Sequence, residues 1–157
     1  MTDKSELPLA LRGAYLAMHR QSDAKFAEHG VTADQFVLLA TLSRGDAITQ
    51  RELAQRMPSD PSTVRAMLVL LEKQGFVQRD THPSDSRART VTLTPPGKQM
   101  FRRLWKAGES IRTRMTEAIG PDNAAELVRL LTQIAESLNG ADFHSSKQLH
   151  TTEVESA

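Results

Sequence analysis

The 157-residue sequence contains no cysteine. That excludes disulfides, thiolate metal sites, cysteine nucleophiles and thiol-oxidation switches. Aromatic residues make up only 4%, with one Trp, one Tyr and five Phe, so a core must rest on Leu, Ala, Val, Ile and Met. No apolar run approaches the roughly 20 residues that a membrane-spanning helix needs. The opening segment MTDKSELPLALRG has no basic start followed by an apolar stretch, so a cytoplasmic location without membrane association is expected. The five histidines, at 19, 29, 82, 144 and 150, lack close ligand spacing, so no metal is expected. A glycine-rich phosphate loop, a His-x-x-x-His pair and a nucleophile elbow are all missing, which points to a non-enzyme without a cofactor.

What is present is an uneven distribution of charge. The net charge is +1, yet residues 44–106 hold twelve Lys/Arg against six Asp/Glu, a net of +6. The rest of the chain holds eight against thirteen, a net of −5. A basic middle flanked by acidic ends is compatible with a nucleic-acid footprint or with chance clustering.

Periodicity predicts a mostly α protein with a small β-hairpin. Residues 7–28 read as a helix with a stripe of Leu11, Tyr15, Met18, Ser22 and Phe26, stopped at Gly30. Thr32-Ala-Asp-Gln35 and Thr49-Gln-Arg-Glu52 are capping boxes that open helices over about 32–44 and 49–57. Pro58 stops the second of these, and Ser59-Asp-Pro-Ser62 starts another that runs to Gln74. Residues 76–82 and 89–94 alternate and are β-branched, so they read as two strands around a turn-rich tip. Thr94-Pro-Pro-Gly97 then opens one long helix to about Ile119, and a last helix covers about 122–138.

Three short helices followed at once by a hairpin are the plan of a winged helix–turn–helix. The expected organisation is an N-terminal dimerisation helix (1–31), a DNA-binding module (32–96), C-terminal dimerisation helices (97–140) and a disordered tail (141–157). A homodimer is expected because the terminal stripes are wider than the module can cover. Two modules side by side would suit half-sites about one duplex turn (~34 Å) apart.

Within the module, Val64, Met67, Leu68 and Leu71 mark a buried helix face. Ser62, Thr63, Arg65 and Ala66 then project outward near the helix start. Arg65 suits a bidentate contact with guanine, and Ser62 and Thr63 suit a base edge, a phosphate or a plain cap. The helix N-terminus itself is expected to offer free amides to phosphate. At the hairpin tip, Arg87 and Arg89 suit a narrow minor groove, while Asp85 would hold either an arginine side chain or the turn. Thr49, Gln50 and Arg51 at the preceding helix start, with Pro61, complete the candidate contacts to double-stranded DNA. A winged-helix module used for protein contacts or non-specific DNA architecture is the alternative.

Three blocks carry a family resemblance: Pro61-Ser-Thr-Val-Arg65 with Leu71-Glu-Lys-Gln-Gly-Phe-Val-Gln-Arg79, then Pro83-Ser-Asp-Ser-Arg-Ala88, then Val91-Thr-Leu-Thr-Pro-Pro-Gly97. In this order and spacing the chain resembles the MarR family over about Leu7 to Leu138. The resemblance implies an obligate homodimer on pseudo-palindromic promoter DNA, usually as a repressor. It carries recognition-helix contacts to Pro61, Ser62, Thr63 and Arg65, and a minor-groove contact to Arg87. Val69 and Leu70 depart from it, because many members have charged residues there. The resemblance also implies a small aromatic acid as effector, for which Tyr15, His19, Phe36 and Trp105 are candidate lining residues and Arg20 a candidate carboxylate partner.

Overall fold

The structure is a computed structural model that describes residues 3–45 and 47–140. The expected tail lies outside these residues. The order is α1 (Glu6–Ala27), α2 (Ala33–Leu42), β1 (Ile48–Thr49), α3 (Gln50–Arg56), α4 (Pro61–Lys73), β2 (Val77–Thr81), β3 (Arg89–Leu93), α5 (Pro95–Ala107), α6 (Glu109–Ile119) and α7 (Pro121–Asn139). The protein is therefore mostly helical with a small antiparallel sheet, as the patterning predicts. The chain divides into two compact units, Met1–Ile111 and Arg112–Ala157.

The first unit is built around leucines. Leu38 and Leu39 of α2, Leu53 of α3, Leu68 and Leu71 of α4 and Leu104 of α5 are fully buried, together with Val64, Val77 and Val91. Each such side chain contributes roughly 1.5–3 kcal/mol by leaving water. Both expected capping boxes form. The Thr32 hydroxyl accepts from the Gln35 amide at 3.1 Å, and Gln35 Oε1 accepts from the Thr32 amide at 3.0 Å.

Helix α4 ends in a Schellman motif that aims the chain into the sheet. Gly75 sits at φ +81°, its amide donates to the Glu72 carbonyl, and the Phe76 amide donates to the Leu71 carbonyl. From there β2 and β3 pair antiparallel, with Val77 opposite Leu93 and Thr81 opposite Arg89. A third strand joins them. Ile48 and Thr49 pair with Val91 and Thr90, which gives the sheet order β1-β3-β2. Two residues are too short to show alternation, so the sequence reads this segment as a connection.

The Thr94 hydroxyl ties the sheet to α5. It donates to the Gly75 carbonyl at 2.5 Å and accepts from the Gly97 amide at 3.1 Å. Gly97 packs so tightly that a Cβ there would lie 1.9 Å from the Phe76 carbonyl oxygen. One expectation fails here. Residues 94–119 are not one long helix, because α5 stops at Ala107 and α6 restarts at Glu109. Gly108, buried at the C-cap of α5, supplies the break, and continuous apolar spacing across it hides the boundary.

The second unit, taken by itself, holds most of α6 and all of α7. Gly120 at φ +82° and Pro121 at the first helical position separate the two helices. No residue of α7 is buried, and Leu127, Val128, Leu130 and Leu138 are exposed. In the first unit, α1 behaves similarly. Of its expected stripe only Phe26 is buried, while Leu11, Tyr15 and Met18 are exposed. Among the described residues no helix is long and apolar enough to cross a membrane.

Candidate nucleic-acid interface

The two helices of the helix–turn–helix begin differently. At α3 the Thr49 hydroxyl accepts from the Glu52 amide at 3.1 Å and Glu52 Oε2 accepts from the Thr49 amide at 3.0 Å. Thr49 is thus a cap and a strand residue at once. Gln50 is half-buried and its Oε1 accepts from Arg79 Nη1 at 3.5 Å, whereas Arg51 is exposed.

At α4 a carboxylate does the capping. Asp60 accepts from the Thr63 amide at 3.0 Å and from the Thr63 hydroxyl at 3.2 Å, and the Ser62 hydroxyl also donates to it. The Ser62 hydroxyl and then the Thr63 amide hold the Asp60 carboxyl below its ordinary value. This corrects the expectation of free amides at the helix start, since an acidic side chain already occupies that position. Ser62 and Thr63 are therefore both cap partners and exposed side chains. With their protons committed to Asp60, what their hydroxyl oxygens still offer is acceptor capacity. Pro61 fills the first helical position, and Arg65 is exposed one turn on.

An anchor to the sheet lies at the other end of α4. Arg79 on β2 grips Glu72 through Nε at 3.2 Å and Nη2 at 2.9 Å, and its backbone amide donates to the same carboxylate at 3.1 Å. That two-pronged pairing lowers the Glu72 carboxyl and raises the Arg79 guanidinium, in each case first through their side-chain hydrogen bond. Arg79 thereby joins α4, the wing strand and, through Gln50, α3. Sequence reasoning assigned no role to Glu72 or Arg79. Their seven-residue spacing across the Gly75 turn was the available signal.

The wing tip is a turn stitched by its own backbone. The His82 amide donates to the Ala88 carbonyl at 3.0 Å, and the Ala88 amide to the Asp85 carbonyl at 3.1 Å. Asp85 Oδ1 accepts from the Arg87 backbone amide at 3.0 Å. Of the two options left open, Asp85 thus takes the turn. The Arg87 side chain is exposed at the tip, and Arg89 is exposed where β3 begins.

The candidate ligand residues fall into two groupings. Tyr15 stacks on His19 with ring centroids 5.5 Å apart, and His19 Nε2 lies 3.2 Å from Asp23. Asp23 in turn accepts from the Ala33 amide at 2.7 Å, which fastens α1 to the start of α2. Phe36 lies 4.7 Å from Phe26 and 5.9 Å from Phe101, and Phe101 lies 6.2 Å from Trp105. Phe36 and Trp105 are thus linked through Phe101, which sequence reasoning placed only on a helix stripe. Arg20 is exposed on α1. Among the described residues no group of three His, Asp or Glu side chains is placed to hold a metal ion.

The MarR family profile matches residues 31–88, from the end of the α1–α2 link to the wing tip. The multiple antibiotic resistance protein MarR of Salmonella typhimurium is 30% identical over 105 residues, 66% of this chain and 73% of that protein. The HTH-type transcriptional repressor MdtR of Bacillus subtilis is 26% identical over 136 residues, covering 85% of this chain and 88% of that one. Among solved structures, the transcriptional repressor CouR bound to a 23-mer DNA duplex matches with a TM-score of 0.76 and 29% identity, over 86% of this chain and 99% of CouR. With a winged helix–turn–helix in place and these similarities spanning it, the chain belongs to the MarR family of transcriptional regulators.

Proposed function

We infer that this protein is a transcriptional repressor that binds a pseudo-palindromic DNA site as a homodimer. The single observation that carries this reading is the outward face of α4, where Arg65 stands exposed on a helix capped at its start by Asp60 and tied to β2 at its end by Arg79. Anchoring matters because base readout needs side chains delivered at a defined depth and angle. Arg65 donates two hydrogen bonds to guanine O6 and N7, worth about 1–3 kcal/mol of discrimination. Ser62 and Thr63 accept from amino groups of cytosine or adenine. Arg87 enters the minor groove, and Arg89, Arg51, Gln50 and Thr49 line the phosphates. The likeness to CouR, a repressor solved bound to a 23-mer DNA duplex, supports double-stranded DNA as the partner.

The exposed leucines of α1 and α7 supply the dimer contact, since apolar faces this long are seldom left in water. A small aromatic acid acts on the dimer through the Phe36–Phe101–Trp105 run and the Tyr15–His19 pair, with Arg20 for its carboxylate. It relieves repression only by binding one dimer state better than the other.

An anisotropy titration of the full chain against its own upstream region tests the reading. Specific binding is expected that random duplex of equal length does not match. Equal affinity for both at physiological salt would overturn it. A thermal-shift series with aromatic acids tests the effector, and no shift with any of them would leave a repressor without that control.

A further inference from the structure

The outward face of α4 carries two adjacent exposed apolar residues, Val69 and Leu70. At about 100° per residue, Val64, Met67, Leu68 and Leu71 share one side of the helix. Ser62, Ala66, Val69 and Lys73 fall within about 60° of one another on the opposite side, with Arg65 beside them. Val69 is 49% exposed and Leu70 is 53% exposed. A β-branched residue is a poor choice for a solvent-facing helix position, because it loses rotamer freedom and gains no burial there. Val69 therefore contributes neither to the core nor to helix propensity.

Its neighbours indicate what covers it. Along this face the side chains before Lys73 are small, so the backbone could approach a partner closely. Arg65 and Lys73 flank the strip with positive charge, and the two carboxylates near it are engaged within the protein, Asp60 by the Ser62 hydroxyl and the Thr63 amide and Glu72 by Arg79 on β2. A helix about 10–12 Å across with a small-residue face and two exposed cations fits a major groove about 12 Å wide. Apolar contact there has one partner among the natural bases, the C5 methyl of thymine. We propose that Val69, with Ala66 beside it, is a specificity-determining residue that reads a thymine methyl in each half-site. From Ser62 to Val69 the helix rises about 10 Å, the length of about three base steps. This inference rests on the DNA-binding reading above and adds a contact to it.

The test selects a binding site from a random duplex pool with the full-length protein, then replaces each thymine in turn by deoxyuridine. That change deletes one methyl and leaves base pairing intact. Affinity is expected to fall about fourfold at one thymine per half-site, the value of one apolar carbon. In Val69→Ser that penalty disappears, while in Arg65→Ala it persists on a weaker background. Val69 is exposed, so the variant keeps its fold, and circular dichroism verifies that. Insensitivity to every deoxyuridine, with site selection intact, overturns the methyl contact and leaves the DNA reading standing. So does a penalty that Val69→Ser retains, which would locate the effect in DNA shape. A Val69→Ser variant that changes only oligomeric state or protein binding overturns it as well. Failure to select any sequence overturns both readings together.

Discussion

Helices α4 and α7 carry apolar residues at the same helical spacing, and within one chain they are treated in opposite ways. In α4, Val64, Met67, Leu68 and Leu71 are all buried by the first unit. In α7, 19 residues long, none is buried, and Leu138 is 81% exposed. The difference teaches that an apolar stripe states only that a partner is needed. Whether the partner is the same chain or another depends on the neighbouring elements. For α4 these are α3, β2 and α2. For α7 the proposed partner is a second copy.

The sharpest way to break this comparison is to truncate one leucine from each helix. Leu68→Ala should cost roughly 2–5 kcal/mol in urea denaturation, independent of protein concentration. Leu130→Ala, at a 40% exposed position, should cost less and should lose more on dilution, as subunit linkage requires. Equal, concentration-independent losses would mean that α7 is not at an interface. Replacing both Leu127 and Leu130 by Lys should go further and halve the mass seen in sedimentation equilibrium while helical signal stays nearly unchanged. A mass unaffected by both charges would remove α7 from the proposed dimer.

Smaller effects belong to the DNA-facing end of α4 and to the wing. Arg65→Ala should lower specific affinity by about 1–3 kcal/mol, and Arg87→Ala should reduce the salt slope of binding by about 1. If both variants matched the parent protein in a titration across salt concentrations, the interface would lie elsewhere. The Glu72–Arg79 pair should give the smallest change. Glu72 is 38% exposed at its side chain, so solvent screening limits the pair to about 0.5–1 kcal/mol. The folded-state carboxyl is lowered from its ordinary 4.5, first by the Arg79 hydrogen bond. Its stabilisation is therefore present above that ordinary value and is lost as pH falls below it through the lowered folded one. Glu72→Gln should flatten that acid limb in thermal melts from about pH 6 down to about pH 3. An unchanged limb would deny the pair any contribution.

Much of this architecture was legible because local chemistry repeats at fixed spacing. The capping boxes at Thr32 and Thr49, the Gly75 stop and the Thr94-Pro-Pro-Gly97 restart all appear as the residues predict. Each depends on backbone groups only three or four residues away. The helix break at Gly108 was missed because the apolar spacing runs through it. Strand β1 was missed because its existence depends on Val91 and Thr90, about forty residues downstream. The same distance effect governs the site. Arg65 and Arg87 could be named as exposed cations, whereas the Arg79 clasp on Glu72 and Gln50 exists only once β2 folds back on α4 and α3.

By itself, then, the sequence determined the helical content, the module order and the outward position of Arg65, because periods of two and 3.6 residues report which side of an element faces a core. Only the tertiary structure decided that Arg79 clasps Glu72 and reaches Gln50, tying α4 to β2 and α3. It likewise decided that Asp85 secures a turn and not an arginine side chain. Hydrogen bonds of acidic side chains depend on which donors come within about 3 Å, and that is a property of the folded chain. The exposure of α7 and of Val69 belongs to the same class, since burial is conferred by neighbours and not by residue type.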